Sequence, residues 1–359
     1  MTPIATLHRP TRDVRVSGMS SLTPPAELLA ELPLPDRSAE LVLHSRDEVE
    51  RILNGEDDRL MLVVGPCSVH DPEAGIEYAR LLANLATEVA QDVVLVMRLY
   101  FEKPRTTVGW KGLINDPYLD GSYAVNDGLR ISRKLLLDVL ALGIPVGCEF
   151  LDPISPQYIS DAVTWGAIGA RTSESQVHRS LASGLSMPVG FKNSTDGRIG
   201  VAIDAIRTAA HSHSFFGVTE DGRAAIVTTA GNEDCHVVLR GGTGKPNHGA
   251  ESVQHALATL RKAGLPERLV IDASHDNSGK DHTQQPAVAD QIAAQVAGGE
   301  RGIVGVMLES FLVEGRQNAG SGKADLVYGQ SITDACMGWG TTVPVVHALA
   351  EAARERRRA

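Results

Sequence analysis

The feature that most constrains this chain is a repeated alternation: from residue 60 onward, short runs of β-branched and other apolar residues are separated by longer stretches of helical period. The runs are LMLVVGP (60–66), VVLVMRLY (93–100), PVGCEF (145–150), AIGA (167–170), PVGFKN (188–193), HVVLRGG (236–242), LVIDAS (269–274) and IVGVMLES (303–310). Near-continuous hydrophobicity, instead of strict alternation, marks strands covered on both faces, as in a parallel sheet built from βα units. Eight such strands predict an α/β fold of the (β/α)8 TIM-barrel type, and no glycine-rich dinucleotide fingerprint follows an early strand to favour an open doubly wound sheet. One segment breaks the alternation. SFFGVTEDGRAAIVTT (214–229) reads as two strands joined at Asp221–Gly222, a hairpin inserted before the sixth barrel strand. Residues 1–45, proline-rich and weakly periodic, predict an N-terminal extension ahead of a barrel over 46–359.

Charge and cysteine usage narrow the function classes. Thirty-four basic against 44 acidic residues give a net charge of −10, which argues against a nucleic-acid surface, where phosphate neutralisation dominates. The basic RERRR at 354–358 reads as the solvated end of a last helix, complementing its dipole. Four cysteines, Cys67, Cys148, Cys235 and Cys336, lie far apart without local pairing, so reduced thiols and a cytoplasmic location are expected. There is neither an apolar signal core nor an apolar run of spanning length, so no membrane association is expected.

In a barrel of this kind the active site lies at the C-terminal face, so strand ends carry the information. In order they offer Cys67, Arg98, Glu149, Arg171, Lys192, Arg240, His275 and Glu309. Four are cations. Arg98, Arg171, Lys192 and Arg240 in one mouth would repel one another unless an anion sits among them, and planar guanidinium forks suit phosphate and carboxylate groups. Cys67 alone can be read as core filler, nucleophile or metal ligand. With His275, Glu309 and Asp334, the last expected at the start of the final helix, it forms a donor set that suits a divalent first-row ion, although long-range spacing leaves metal and structural readings both open. His70 and His282 compete for the ligand role from loops. The glycines of RGGTGKPN lack phosphate-loop spacing and are expected to allow close backbone approach after Arg240.

The motifs GPCSVHD, MRLYFEKPRTTVGWKGLINDP, WGAIGARTSESQ, GFKNSTDG, HVVLRGG, SHDNS, ESFLVEGRQ and YGQSITDAC, in that order, together resemble the type I 3-deoxy-D-arabino-heptulosonate 7-phosphate (DAHP) synthases of the shikimate pathway. The resemblance runs from about residue 12 to about residue 340. It implies a metal-dependent condensation of phosphoenolpyruvate with erythrose 4-phosphate on a (β/α)8 barrel. By motif, the ligands of a divalent ion (manganese, cobalt, iron or zinc) would be Cys67, His275, Glu309 and Asp334. Phosphoenolpyruvate would meet Arg98, Lys103, Gly169, Ala170, Arg171, Lys192 and Arg240, with Glu149 beside the reacting carbon. The KPRT segment, Lys103, Pro104, Arg105 and Thr106, would hold erythrose 4-phosphate, where arabinose 5-phosphate relatives carry a KANR-type segment. Lys103, Glu149, Cys67 and His275 would carry the catalysis.

The resemblance also implies a homodimer or homotetramer in which arm and hairpin build subunit contacts and an effector site for an aromatic amino acid. Asp13 of RDVRV, Asp152, Pro156, Gln157, Phe215 and Gly217 match positions near that site. Gly217, where a serine accompanies phenylalanine inhibition, points to tyrosine. Two departures, Ser194 in KNSTDG and the absence of an acidic residue after Gly338–Trp339, lie outside the matched ligands. Cys336, two residues beyond Asp334, is expected near Cys67 and able to pair with it oxidatively when metal is absent.

Overall fold

Eight parallel strands close on themselves in the order β1-β10-β9-β8-β5-β4-β3-β2 in a computed structural model that describes residues 11–105, 107–319 and 325–358. The barrel strands are β1 (Leu60–Gly65), β2 (Val93–Arg98), β3 (Val146–Glu149), β4 (Trp165–Ile168), β5 (Val189–Lys192), β8 (His236–Leu239), β9 (Leu269–Asp272) and β10 (Ile303–Glu309). Between β5 and β8 stands an antiparallel hairpin, β6 (Ser214–Val218) and β7 (Ala224–Thr228), turning at Gly222 with φ +74°. A short pair, β11 (Val313–Arg316) and β12 (Gln330–Ser331), follows the last barrel strand. The expected (β/α)8 architecture and inserted hairpin are therefore both present.

The period of two along each strand explains the core. Met61, Val63, Val94, Val96, Trp165, Ala167, Val238, Val270 and Met307 form one buried cluster inside the barrel. Their neighbours Leu60, Leu62, Val64, Leu95, Met97, Val237, Leu239 and Ile271 belong to a second cluster with the surrounding helices. The Trp165 indole fills the interior because Gly190 gives way: a Cβ there would lie 2.6 Å from both Trp165 and Val238. The helix α2 (Asp36–Asn54) continues across residue 45 and adds Val49, Ile52 and Leu53 to the interior cluster, plugging the end of the barrel away from the strand C-termini. The extension ahead of it contributes a short helix, α1 (Pro25–Glu31).

Three local expectations differ from the structure. The fourth strand begins at Trp165, two residues earlier than its apolar run, and ends at Ile168; Gly169 and Ala170 leave the sheet because the Gly169 carbonyl accepts from the amides of Thr172 and Ser173. Asp334 lies in coil ahead of the last helix, Trp339–Arg358, since bridges Gly315–Cys336 and Ser310–Met337 hold the 334–338 segment extended. The C-terminal basic cluster is not simply solvated: Arg356 is buried and donates to the carbonyls of Asp58 and Ile303, while Arg354 and Arg357 both pair with Asp92. Ionic clamping of the helix onto the strand starts outweighs hydration there.

Candidate active site

The interior period delivers the site. On β2, β3, β5, β9 and β10 the last inward position holds Arg98, Glu149, Lys192, Asp272 and Glu309, and Arg240 continues that parity one residue beyond β8. An apolar interior thus ends in one ring of charge at the C-terminal mouth. Above it lies a cavity of ≈ 270 Å³, lined by Lys103, Pro104, Arg105, Thr107, Glu149, Gly169, Ala170, Arg171, Lys192, Thr195, Arg240, His275, Lys280 and Asp334.

Within it, Cys67, Glu309 and Asp334 each offer a ligand atom, and these atoms lie within 4.8 Å of one another. His275 completes the arrangement from the side: Nε2 is 3.8 Å from Glu309 Oε1, while Nδ1 is 2.8 Å from Asp272 Oδ2 and 2.8 Å from Ser274 Oγ. An imidazole oriented by a carboxylate on one nitrogen and aimed at further donors with the other is the usual arrangement around a metal-ligating histidine. His275 holds φ at +52°, a left-handed backbone rare outside glycine, asparagine and aspartate. Glu309 is fixed by Gln285, whose side chain bonds both its backbone N–H and its carbonyl. A thiol, two carboxylates and an imidazole form a mixed soft and hard donor set that fits a divalent first-row ion.

Burial pushes the Cys67 thiol up to about 12, helped by Glu309 and opposed by Lys103. Lys103 Nζ donates to Cys67 Sγ at 2.7 Å. Burial alone would raise the Asp334 carboxyl, but Lys103, His275, the Cys67 thiol and Lys280 outweigh it and hold the group down at about 2. Cys336 is adjacent, accepting from the Cys67 amide at 3.3 Å.

The cations behave unequally. Lys192 Nζ reaches Asp272 Oδ2 at 3.0 Å, and Arg240 pairs with Asp276. Arg98 is fully buried behind the cavity wall, bonded to Glu309 Oε1 at 3.0 Å and to the Cys67 carbonyl at 3.1 Å, and stacked 3.6 Å over the Tyr100 ring. It braces the donor cluster and is not among the lining residues. Arg105 and Arg171 are exposed at the mouth. Gly169 leaves room for Glu149, since a Cβ would lie 2.2 Å from Glu149 Oε1. Gly241, at φ +76°, lets the chain turn against Asp276 and Asn277, the close approach expected after Arg240. Thr106 lies outside the described residues.

Composition and motif passed over several lining or bracing residues. Asp272 had a legible signal, being a charge inside an apolar run, whereas Thr107, Thr195 and Lys280 sit on loops with no period to mark them. His70 is buried away from the lining, and His282 faces only a small recess beside His275 and Glu309.

A second cavity of ≈ 400 Å³ lies between the hairpin and the short helix Pro156–Ile159, with Pro156, Gln157, Phe215 and Gly217 in its wall. Asp152 and Asp13 are not in that wall; Asp13 pairs with Arg12 at 2.9 Å and Asp152 accepts from the Ile154 amide at 2.8 Å.

Sequence comparison supplies the family. The DAHP synthetase I family matches residues 38–347. The chain belongs to that family. It is 55% identical over 355 residues to a phospho-2-dehydro-3-deoxyheptonate aldolase of Corynebacterium glutamicum, covering 97% of this chain and 96% of the relative. The Phe-sensitive enzyme of that name from Escherichia coli K12 is 55% identical over 345 residues (96% and 98% covered), and a tyrosine-inhibited one from Schizosaccharomyces pombe is 53% identical over 348 (96% and 94%). The solved structure of the Francisella tularensis protein superposes with a TM-score of 0.93 at 49% identity, covering 95% of this chain and 99% of that one. This member of the family is accordingly an enzyme, and no helix among its described residues is long and apolar enough to cross a membrane.

Proposed function

We propose that the chain condenses phosphoenolpyruvate with D-erythrose 4-phosphate and water to give DAHP and inorganic phosphate. The observation that carries this is the meeting, in one barrel mouth, of a Cys67, Glu309 and Asp334 donor cluster with a cavity walled by Lys103, Arg105, Arg171, Lys192 and Arg240. Two phosphorylated substrates need such a surplus of positive charge.

Cys67, His275, Glu309 and Asp334 would hold a divalent manganese, cobalt, iron or zinc ion, which would supply Lewis-acid stabilisation of negative charge on the aldehyde oxygen. Arg171, Lys192 and Arg240, with the backbone of Gly169 and Ala170, hold the phosphate and carboxylate of phosphoenolpyruvate, and Arg98 supports that wall through Glu309. Arg105 and Thr106 hold the phosphate of the aldehyde. The methylene carbon of phosphoenolpyruvate bonds to the aldehyde carbon, whose oxygen takes a proton. Glu149 accepts a proton from the water that adds to the former enol carbon, and the carbon–oxygen bond to phosphate breaks while the cations keep the leaving group. Lys103, as an ammonium, orients the aldehyde beside Cys67.

The reading is tested by phosphate release from phosphoenolpyruvate with erythrose 4-phosphate, in parallel with arabinose 5-phosphate, before and after chelation. Turnover of the four-carbon aldehyde alone, abolished by chelator, is expected; preference for arabinose 5-phosphate or indifference to chelator would overturn it. Wild-type turnover of Glu149→Gln across the pH range would remove that residue from its role.

The second cavity favours a regulatory reading as well. Its aromatic and proline wall suits an aromatic amino acid, and the glycine at 217, by its match to relatives, favours tyrosine. The exposed pair Phe216 and Ile226, opposite each other on the hairpin, supports a homodimer or homotetramer built through that face. Side-by-side assays with tyrosine, phenylalanine and tryptophan decide the first point, and no response to any refutes it; light scattering decides the second.

A further inference from the structure

The cations of the mouth divide into two sets. Arg98, Lys192 and Arg240 each meet a carboxylate, Glu309, Asp272 and Asp276 in turn. Lys280, exposed at the mouth like Arg105 and Arg171, does not: among the described residues, no ion pair or side-chain hydrogen bond engages its ammonium, and its bonding is confined to the backbone amide, which donates to the His275 carbonyl at 2.6 Å. Yet the residue lines the main cavity beside His275 and Asp334. It also lines the small recess next to it with Ser278, His282 and Glu309. That recess includes none of Gly169, Ala170, Arg171 or Lys192, so Lys280 stands on the donor-cluster side of the mouth.

Its backbone makes the same point independently. Lys280 holds φ at +61°, directly after Gly279 at +61°, and His275 at the start of the same turn holds +52°. Glycine would occupy position 280 at no steric cost, whereas a lysine there is kept in a rarely populated conformation. The surroundings impose it: the Asp276 amide donates to the Arg240 carbonyl, the Gly279 amide to Asp276, and Asn277 bonds the carbonyls of Leu239 and Asp272. A strained residue, over-determined by its loop and aimed into an active-site cavity, points to work for its side chain.

We infer that Lys280 is a further substrate-binding residue, whose ammonium joins Arg105 in holding the aldehyde phosphate, from the donor-cluster side of the mouth. The inference rests on the two-substrate reading proposed above. It accounts for the missing counter-charge, since the partner arrives with the substrate.

The test uses Lys280→Met, Lys280→Arg and Lys280→Gly in the full-length enzyme, with saturating Mn²⁺. Loss of one charge-assisted hydrogen bond predicts a fall of roughly 10- to 100-fold in kcat/KM for erythrose 4-phosphate in the Met variant. Phosphoenolpyruvate affinity, measured by calorimetry without the aldehyde, should stay within about threefold by the same reasoning, because its cations are untouched. Arg should recover part of the loss, and Gly should match Met in kinetics while melting no lower than wild type, as relief of backbone strain requires. Equal losses for both substrates or wild-type kinetics in Met would each overturn the inference. A wild-type enzyme that does not turn over erythrose 4-phosphate at all would instead fail the parent reading.

Discussion

Glu102, immediately before Lys103, carries a carboxylate that burial raises from the ordinary 4.5 to about 7, against hydrogen bonds from Ser155 and the amides of Asp152 and Leu151. Those bonds span two loops: Ser155 Oγ at 2.7 Å, the Asp152 amide at 3.1 Å and the Leu151 amide at 3.4 Å. Between pH 4.5 and 7 the folded chain keeps a proton that the unfolded chain releases, so the slope of stability against pH is negative there. Stability from this group is fully present below the unfolded value and is lost as pH rises through about 7. Each unit of pKa difference is worth about 1.4 kcal/mol, so the loss is about 3 kcal/mol. Spread over 359 residues, at about 2.1 cal/mol/K of unfolding entropy each, that is about 4 to 5 °C in Tm. Glu102→Gln keeps the carbonyl for the Asp152 amide and can donate to Ser155 Oγ, which still donates to the Asp152 carbonyl. The difference in melting temperature between variant and wild type, followed by tryptophan fluorescence, should therefore grow in favour of Gln by about this amount from pH 4 to pH 8. Parallel pH profiles for the two proteins would refute the reasoning, since every other group titrates alike in both.

Three further outcomes are expected. Gly169→Ala puts a Cβ where the Glu149 carboxylate now lies; turnover should fall by about 100-fold, the cost of a misplacement near 1 Å, with the fold retained by circular dichroism. Unchanged turnover would show that Glu149 is free to move without consequence. Asp272→Asn removes the partner of both Lys192 and His275, so Mn²⁺ affinity by calorimetry should drop about 10- to 100-fold, and equal affinity would refute the orienting role. Metal-free protein left in air should fall from four titratable thiols to two as Cys67 and Cys336 pair, whereas Mn²⁺-loaded protein keeps four; intact counts in both would exclude the pairing.

The sequence makes the barrel legible because covered parallel strands are apolar on both faces, so the eight runs stand out without any structural context. The same property blurs their ends. In AIGA the two final residues carry no polar side chain to mark an end, yet Gly169 and Ala170 leave the sheet, and only the carbonyl of Gly169 bonding forward to Thr172 and Ser173 records the change. Site residues were legible to the extent that they sit on the strand period. Arg98, Glu149, Lys192 and Glu309 break an apolar run at its last inward position, and Asp272 does so too, although His275 three residues later is the more conspicuous ligand type. Position alone does not assign the job: Arg98 shares the parity of Lys192 but is sealed behind the wall, because Glu309 and the Cys67 carbonyl lie within hydrogen-bonding reach of its guanidinium. Off the strands the period gives nothing. Lys280 is placed by a turn whose left-handed backbone depends on contacts with Leu239 and Arg240 at the end of neighbouring β8 and with Asp272 at the end of its own β9, so its approach to Asp334 is a property of closed topology and not of any local motif. What a strand end contributes can therefore be read from one dimension, while what a loop contributes requires the barrel to be closed first.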